Sequence, residues 1–415
     1  MTVGEHGLKV LILGVGSQGS VIATHLARSP EVTEIRLADI NFRKVKNLAK
    51  RLGSDKVATH KVNARKLERV VNVAKKADII VNAASYSWDL IENSMKASLK
   101  VGANYIDLAG VRQLIFDRDF KDSSLTAIIG MGEDPGISNL LAARASDKLD
   151  RIDEIRIKDW GSVRSKEMVS SWSPAAAWAD LAAEPIIYDK GKFKLVPPFS
   201  GEEVYHFPAP IGPQKVTWHA HEEVVTIPHF FKNVDYVDFK LGIPDLAIAK
   251  YVIQLGLMSE EYITVRGRRI HPRDVFVTLL PRTLSMDEVE SKMADGTLME
   301  EQEYIVLEAV GDKAGRRIKY NGSVLMTLQE VSKLMSGATA LSYLVGTPAA
   351  IGVEMFCRKE IETSGVLAPE GLKKKERDAL LRYLVKKGIK IREETQDLYK
   401  FRIGSLEKIL MEEEI

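Results

Sequence analysis

A short apolar run, Lys9 to Leu13, breaks at Gly14-Val15-Gly16-Ser17-Gln18-Gly19, and a segment of helical periodicity, Ser20 to Arg28, follows at once. An apolar run of that length ending in a glycine turn reads as a strand buried on both faces. Gly14 permits the tight turn, Gly16 removes the side chain that would block a pyrophosphate, and Gly19 lets the helix pack closely against the strand. The helix N-terminus, with Ser17 and Gln18 in its first turn, then offers unpaired N–H groups to phosphate oxygens. Three glycines alone are a weak signal. The strand before them and the helix after them carry the inference to a bound dinucleotide.

The alternation continues. Apolar runs recur at Glu34 to Ala38, Asp78 to Asn82, Tyr105 to Leu108 and Ala127 to Ile129, with helical periodicity between them at Phe42 to Leu52, Lys66 to Lys75 and Leu90 to Val101. Short connections of this kind give right-handed crossovers and a parallel sheet, so residues 1–135 are expected to form a doubly wound α/β (Rossmann) domain. Beyond Gly136 the texture changes. A helix over Ile137 to Leu149 leads into β-branched and aromatic runs at Glu154 to Lys158, Lys192 to Val196, Val216 to His221, Val224 to Ile227 and Val234 to Leu241. Glu303 to Val310 and Arg316 to Tyr320, joined by Gly311 to Gly315, read as a hairpin with a five-residue loop. Helices over Pro244 to Leu257 and Met286 to Ala294 would cover this sheet. Residues 136–331 therefore read as a second, α+β domain for substrate and for dimerisation. Residues 332–370 form a small-residue-rich helical segment, interrupted at Gly346-Thr347-Pro348, that returns to the first domain. Residues 371–415 are a charged C-terminal extension whose run Lys373-Lys374-Lys375 is a solvated helix start.

Asp39 closes the second strand 20 residues beyond Gly19, where a carboxylate accepts hydrogen bonds from an adenosine ribose and repels a 2′-phosphate. That favours NAD, while Arg43 and Lys44 nearby leave NADP open. Asn63 after the third strand, and Ala83 and Ser85 after the fourth, mark where the adenine and nicotinamide ends of the cofactor would run.

Composition narrows the partners. The 415 residues carry 59 Lys and Arg against 57 Asp and Glu, a net charge of +2 with no basic field of the kind nucleic acid requires. No apolar stretch reaches the roughly eighteen residues of a membrane span, and Met1 to Gly7 lacks the character of a leader. Cys357 is the only cysteine, which excludes an intrachain disulfide or a cysteine metal cage and suits a reducing compartment. A cytoplasmic protein is the simplest expectation.

Three further stretches resemble the saccharopine dehydrogenase family, which includes saccharopine reductases, lysine 6-dehydrogenases and carboxynorspermidine dehydrogenases. They are Val81-Asn82-Ala83-Ala84-Ser85-Tyr86, Ala103-Asn104-Tyr105-Ile106-Asp107-Leu108-Ala109-Gly110, and Gly130-Met131-Gly132-Glu133-Asp134-Pro135-Gly136-Ile137-Ser138-Asn139. Gly346-Thr347-Pro348-Ala349-Ala350 is similar to the family's returning segment. The resemblance covers most of the chain and implies an enzyme that uses NAD or NADP to oxidise or form a carbon–nitrogen bond on an amino acid or a polyamine precursor. Asp134-Pro135-Gly136 is similar to saccharopine-type members and Ser138-Asn139 to lysine 6-dehydrogenases, and this chain has both.

Oxidising a CH–NH group sends a hydride to nicotinamide and requires a neutral nitrogen, so an amine of solution pKa near 10 must first lose a proton. In an open α/β sheet that base belongs at the carboxyl ends of the strands. Asp107, Glu133 and Asp134 are the carboxylates placed there, with Asp134 alternatively a cap for a helix starting at Pro135. Ser85 and Tyr86 are placed to hold substrate or nicotinamide. His219, His221 and Glu223 in His219-Ala220-His221-Glu222-Glu223 would share one face of a strand, either as a substrate-facing proton relay or as a partly exposed sheet face. No third ligand at metal spacing and no HExxH pattern accompanies them, so no metal is expected. Arg112 and Arg164 are candidates for a substrate carboxylate. Trp172 to Trp178 would begin a helix at Pro174 and either wall the cleft with indole rings or pack in the core or at an interface. The main expectation is an NAD-preferring dehydrogenase of an amino acid such as lysine or saccharopine, acting as a homodimer. A polyamine-precursor dehydrogenase, a non-catalytic NAD-binding regulator and a hydroxy-acid dehydrogenase are the alternatives.

Overall fold

The computed structural model describes residues 7–84 and 87–398. The first domain runs β1 (Leu8–Leu13), α1 (Ser17–Arg28), β2 (Val32–Asp39), α2 (Phe42–Leu52), β3 (Val57–Lys61), α3 (Leu67–Ala74), β4 (Ile79–Asn82), α4 (Trp88–Val101), β5 (Asn104–Asp107), α5 (Asp117–Asp122) and β6 (Thr126–Ile128). Its strands lie in the order β3, β2, β1, β4, β5, β6, and every pairing is parallel. The order reverses between β1 and β4, the crevice position where open sheets of this type take their ligands. Val10, Leu11, Ile12 and Leu13 are fully buried, as strands covered by helices on both faces must be.

A helix, α6 (Ile137–Lys148), leads to the second sheet, in which β7 (Arg151–Ser165) lies between the parallel strand Tyr236–Gly242 and the antiparallel strand Leu298–Lys313. The latter continues into Arg316–Thr327. The predicted five-residue loop shrinks to the two residues between these strands, because Gly311 is a strand residue: a Cβ there would collide with the Arg151 carbonyl, at a break in register. Val224 to Ile227, expected as a strand, is the middle of a helix, Glu223–Phe230. Its buried Val224 and Ile227 are three apart, and packing that face outweighs the strand preference of a β-branched run.

The returning segment forms helices Leu328–Leu334 and Ala340–Cys357, the second running unbroken through Pro348. It packs on α1, with Gly346 so close that a Cβ would lie 2.8 Å from Val21. Among the described residues it is the one helix long and apolar enough to cross a membrane, and 78% of it is buried in the core. Gly365–Leu367 then adds a seventh parallel strand beside β6. The charged C-terminal region is equally built in. Helix Lys374–Lys386 buries Leu380 and Leu384, and Ile391–Asp397 pairs with Arg316–Thr327 in the second sheet.

Candidate active site

The glycine turn is formed as its sequence demands. Gly14 has φ +90°, and a Cβ on it would collide with the backbone of Ala83 and Ala84, while one on Gly19 would strike the Gly14 carbonyl. Gly16 differs, since nothing lies within 4 Å of the position its Cβ would take. The N-terminus of α1 therefore opens on free space, and the residues fit a pyrophosphate. Asp39 accepts from Val15 N–H at 3.0 Å and from Asn41 N–H at 2.7 Å, which fixes its carboxylate at the lip of this cradle. Ser17 donates to Gln18 Oε1 at 2.8 Å within the first turn of α1. Asn63 accepts from Arg65 N–H at 3.0 Å and shapes the turn before α3. Ala83 N–H donates to Leu13 at 2.7 Å, joining β4 to β1 at the switch point. Ser85 and Tyr86 lie outside the described residues.

The other wall of the crevice is assembled from three places. Between β6 and α6 the chain doubles back at Gly136, where φ is +142° and a Cβ would overlap the Gly132 carbonyl. That loop carries Glu133 and Asp134. The second contribution is register. Asp159, Gly161 and Val163 of β7 stand opposite Ile305, Glu303 and Glu301. Side chains alternate across a strand, so Asp159, Glu301 and Glu303 share a face with the buried Ile157 and Leu307. Gly161 makes room there, a Cβ on it lying 3.0 Å from Glu303 Oε2. The third contribution is the segment from His219 to Glu223, whose Glu222 accepts from Gly110 N–H of the first domain at 2.9 Å.

These side chains form a strongly acidic chamber. Glu133 is 1% exposed and neither of its carboxylate oxygens has a hydrogen-bond partner; Asp134 Oδ2, Asp159 Oδ1 and Glu301 Oε1 are likewise buried and unpartnered. Burial pushes Asp159 and Glu301 up to about 7. Glu133, Asp134 and Glu303 are driven well above the usual carboxylate range by burial and then by the charge of neighbouring carboxylates. Asp180, on helix Pro174–Ala182, is raised to about 7 by burial and by Glu222.

His221 faces Asp134 and Asp159 from the edge of this chamber. Burial alone would lower it, but Glu223, Asp134 and Glu222 outweigh burial and hold it well above the usual imidazole range. Its Nδ1 lies 2.5 Å from Glu223 Oε2, and Glu223 Oε1 accepts from Ser138 Oγ at 2.5 Å. The ring stacks on Phe239 at 4.0 Å. Ser138 lies in the first turn of α6, so the Pro135-Gly136-Ile137-Ser138 stretch sets both the loop bearing Asp134 and the hydroxyl that orients the histidine's partner. His219 is neutral, pushed down to about 3 by burial and by His221.

Four expectations need correction. His219, His221 and Glu223 do not share a strand face, because the strand Gly212–Trp218 ends before them and Glu223 opens helix Glu223–Phe230, leaving both histidines in the connection. Asp107 is no free base: Tyr105 Oη at 2.5 Å, Leu108 N–H at 2.8 Å, Asn82 Nδ2 at 3.2 Å and Gln113 Nε2 at 3.3 Å all donate to it. It ties the ends of β4 and β5 together. Asp134 does not cap α6, which starts at Ile137 with Gly136 as its capping residue and Asn139 Oδ1 accepting Gly136 N–H at 2.7 Å. Arg164 pairs with Glu300 on the opposite face of the second sheet, away from the chamber. Arg112 is exposed, stacked on Trp88 at 4.1 Å, two residues beyond Gly110. The sequence reading missed Asp159, Glu301 and Glu303. The signal was an acidic pair at period two continuing the apolar face of Ile305, Leu307 and Ala309.

A doubly wound sheet with a pyrophosphate cradle at its switch point, facing titratable side chains from a second domain, defines a nicotinamide-dependent oxidoreductase. Comparison with known proteins places it further. Residues 10–128 match the saccharopine dehydrogenase NADP binding domain and residues 132–389 the saccharopine dehydrogenase C-terminal domain. The chain belongs to the saccharopine dehydrogenase family and is an NAD(P)-dependent enzyme acting on CH–NH groups. It is 25% identical over 383 residues to a carboxyaminopropylagmatine dehydrogenase of Synechocystis sp., covering 87% of this chain and 92% of that one. It is also 25% identical over 395 residues to a carboxynorspermidine synthase of Vibrio cholerae, covering 88% and 92%. Among solved structures it shares the fold of the L-Glu-forming saccharopine dehydrogenase of Saccharomyces cerevisiae, with a TM-score of 0.68 and 15% identity over 94% of this chain and 100% of that one.

Proposed function

We propose that the chain makes or oxidises a secondary amine that joins a carboxylated carbon to an amine chain, with the substrate held between the glycine cradle and the acidic chamber. The observation that carries this reading is the line Ser138–Glu223–His221 opening toward Asp134 in the interdomain crevice. Nicotinamide, when bound, takes up or returns the hydride. In the oxidative direction Asp134 accepts the proton from the substrate nitrogen, as its unpartnered Oδ2 permits. Glu223 accepts the Nδ1 hydrogen bond and fixes the ring, leaving Nε2 of His221 to stabilise the charge on Asp134 or to donate a proton to departing water in the reductive direction. Arg112, with no carboxylate partner among the described residues, is the group for the substrate's carboxylate.

Asp39 fits a ribose 2′-hydroxyl and supports a preference for NAD. The homodimer expected from the sheet of the second domain is supported by apolar side chains exposed on helix Leu246–Gln254 and the turn after it, Tyr251 and Leu255 among them; sedimentation of the whole chain tests it, and a monomer at micromolar concentration would refute it. A single cysteine, half-buried and unpaired, supports a cytoplasmic setting. The decisive assay follows reduced-nicotinamide absorbance with a panel of lysine, saccharopine and carboxylated polyamines. Turnover of at least one supports the proposal. Silence with all of them, under conditions where NAD or NADP binds, would leave a cofactor-binding regulator.

A further inference from the structure

Isolated charges are not left in a protein interior without reason. Taking a carboxylate out of water with no partner to replace its hydration is costly. Glu133 nevertheless has two unpartnered oxygens, and Glu301 and Asp159 have one each. Glu301 accepts from Ala340 N–H at 2.5 Å at the start of the long returning helix, and the Ser171 and Thr339 hydroxyls also act on its carboxyl, while Oε1 has no hydrogen-bond partner of good geometry. The Ala340 contact anchors the deep end of the chamber. Among the described residues no lysine or arginine pairs with Glu133, Glu301 or Glu303, although forty ion pairs satisfy charges elsewhere in the chain. His221 does not fill the gap, because its Nδ1 is committed to Glu223 and the carboxylates it faces are Asp134 and Asp159.

We infer that Glu133, Glu301 and Glu303 form a subsite for a second cationic group of the substrate, a terminal ammonium or guanidinium remote from the reacting nitrogen. The inference rests on the reading of the crevice as the substrate site and deepens it. The chamber selects by charge pattern. Lysine and saccharopine end in an amino group that carries a carboxylate beside it, and that carboxylate would be buried beside Glu133 and Glu303 with no cationic side chain to pair it. A polyamine-type chain ends in a cation alone. On entry it favours the ionised form of these glutamates, which burial disfavours, and each N–H gains an ionised acceptor.

The test is equilibrium binding to the full chain by calorimetry, with no turnover required, using 1,3-diaminopropane, agmatine and lysine as probes. The diamine and agmatine are expected to bind at least tenfold more tightly than lysine and to release protons at pH 7. Glu133→Gln and Glu303→Gln should each weaken the diamine by tenfold or more while leaving NAD(P) affinity unchanged. The amide has nearly the shape of the carboxyl it replaces and carries no charge to bury, so both variants are expected to fold, and a thermal midpoint at or above that of the parent confirms it. Diamine affinity equal to that for lysine, or unchanged in both variants, would overturn the subsite. So would magnesium or calcium alone raising the midpoint through these glutamates while the diamines do not. Tight diamine binding with no turnover across the substrate panel would instead leave the subsite standing and remove the catalytic reading.

Discussion

The two walls of the crevice solve their tasks in opposite ways. The nucleotide wall is made of backbone: Gly14, Gly16 and Gly19 shape a turn, the start of α1 supplies N–H groups, and Asp39 at its lip is held by two backbone N–H donors. The facing wall is made of side chains from β7, the Leu298–Lys313 strand, the Gly130 to Gly136 loop and the His219 to Glu223 segment, and its carboxylates are left without partners. The same contrast divides two carboxylates that end neighbouring parts of the first sheet. Asp107 is saturated with donors and serves structure, whereas Glu133 has none and awaits a ligand. A satisfied buried charge is part of the scaffold. An unsatisfied one marks where something else must bind.

Breaking the facing wall at its proton carriers should have the largest effect. Asp134→Asn or His221→Asn is expected to lower kcat by about 10²–10⁴-fold, with NAD(P) affinity unchanged in a binding titration. Full activity in both would move the proton elsewhere. Breaking the nucleotide wall comes next. Gly16→Val adds a side chain into the open space above α1 and should weaken NAD(P) by about tenfold or more, roughly 1.4 kcal/mol, while diamine binding at the opposite wall persists. Loss of both together would mean that the walls are not separable.

The electrostatic contrast also predicts a pH dependence. Asp159 and Glu301 titrate near 3.8 and 4.5 in an unfolded chain and near 7 in the folded one. A raised folded pKa contributes stability that is fully present below the unfolded value and is lost as pH rises through the folded value. The ligand-free protein should therefore lose stability between about pH 4 and 8, and an Asp159→Asn, Glu301→Gln double variant should flatten that slope in thermal melts. An unaltered slope would place the titration on other groups. The smallest change is at Asp39. Asp39→Ser should shift the NAD to NADP ratio of kcat/KM by a few-fold, the worth of about one hydrogen bond, and an unchanged ratio would end its ribose role.

The same contrast explains what could be read from sequence. The cradle depends on residue types that only one backbone conformation tolerates, so Gly14 to Gly19 and the alternation around them gave the first domain its strands and helices. The loop bearing Glu133 and Asp134 was legible from the strand order, which puts it at the carboxyl end of β6, and from the family resemblance of Gly130 to Asn139. The chamber was not, because it is set by cross-strand register. Glu301 and Glu303 meet Asp159 only when Leu298–Lys313 lies against β7 at one alignment, and nothing local fixes that alignment. Arg164 was misassigned on the same account, being one residue out of phase with the inward face. Val224 to Ile227 was misread because a short β-branched run at i and i+3 suits a buried helix face as well as a strand.

The most direct test of the whole account follows one hydrogen. A carboxylated polyamine fully deuterated at both carbons bonded to its secondary nitrogen is incubated with the enzyme and oxidised cofactor, and the reduced cofactor is analysed by mass spectrometry. The account predicts one deuterium per reduced nicotinamide, with the proton from nitrogen lost to solvent. Reduced cofactor without deuterium, or substrate consumed with no cofactor reduced, would contradict it.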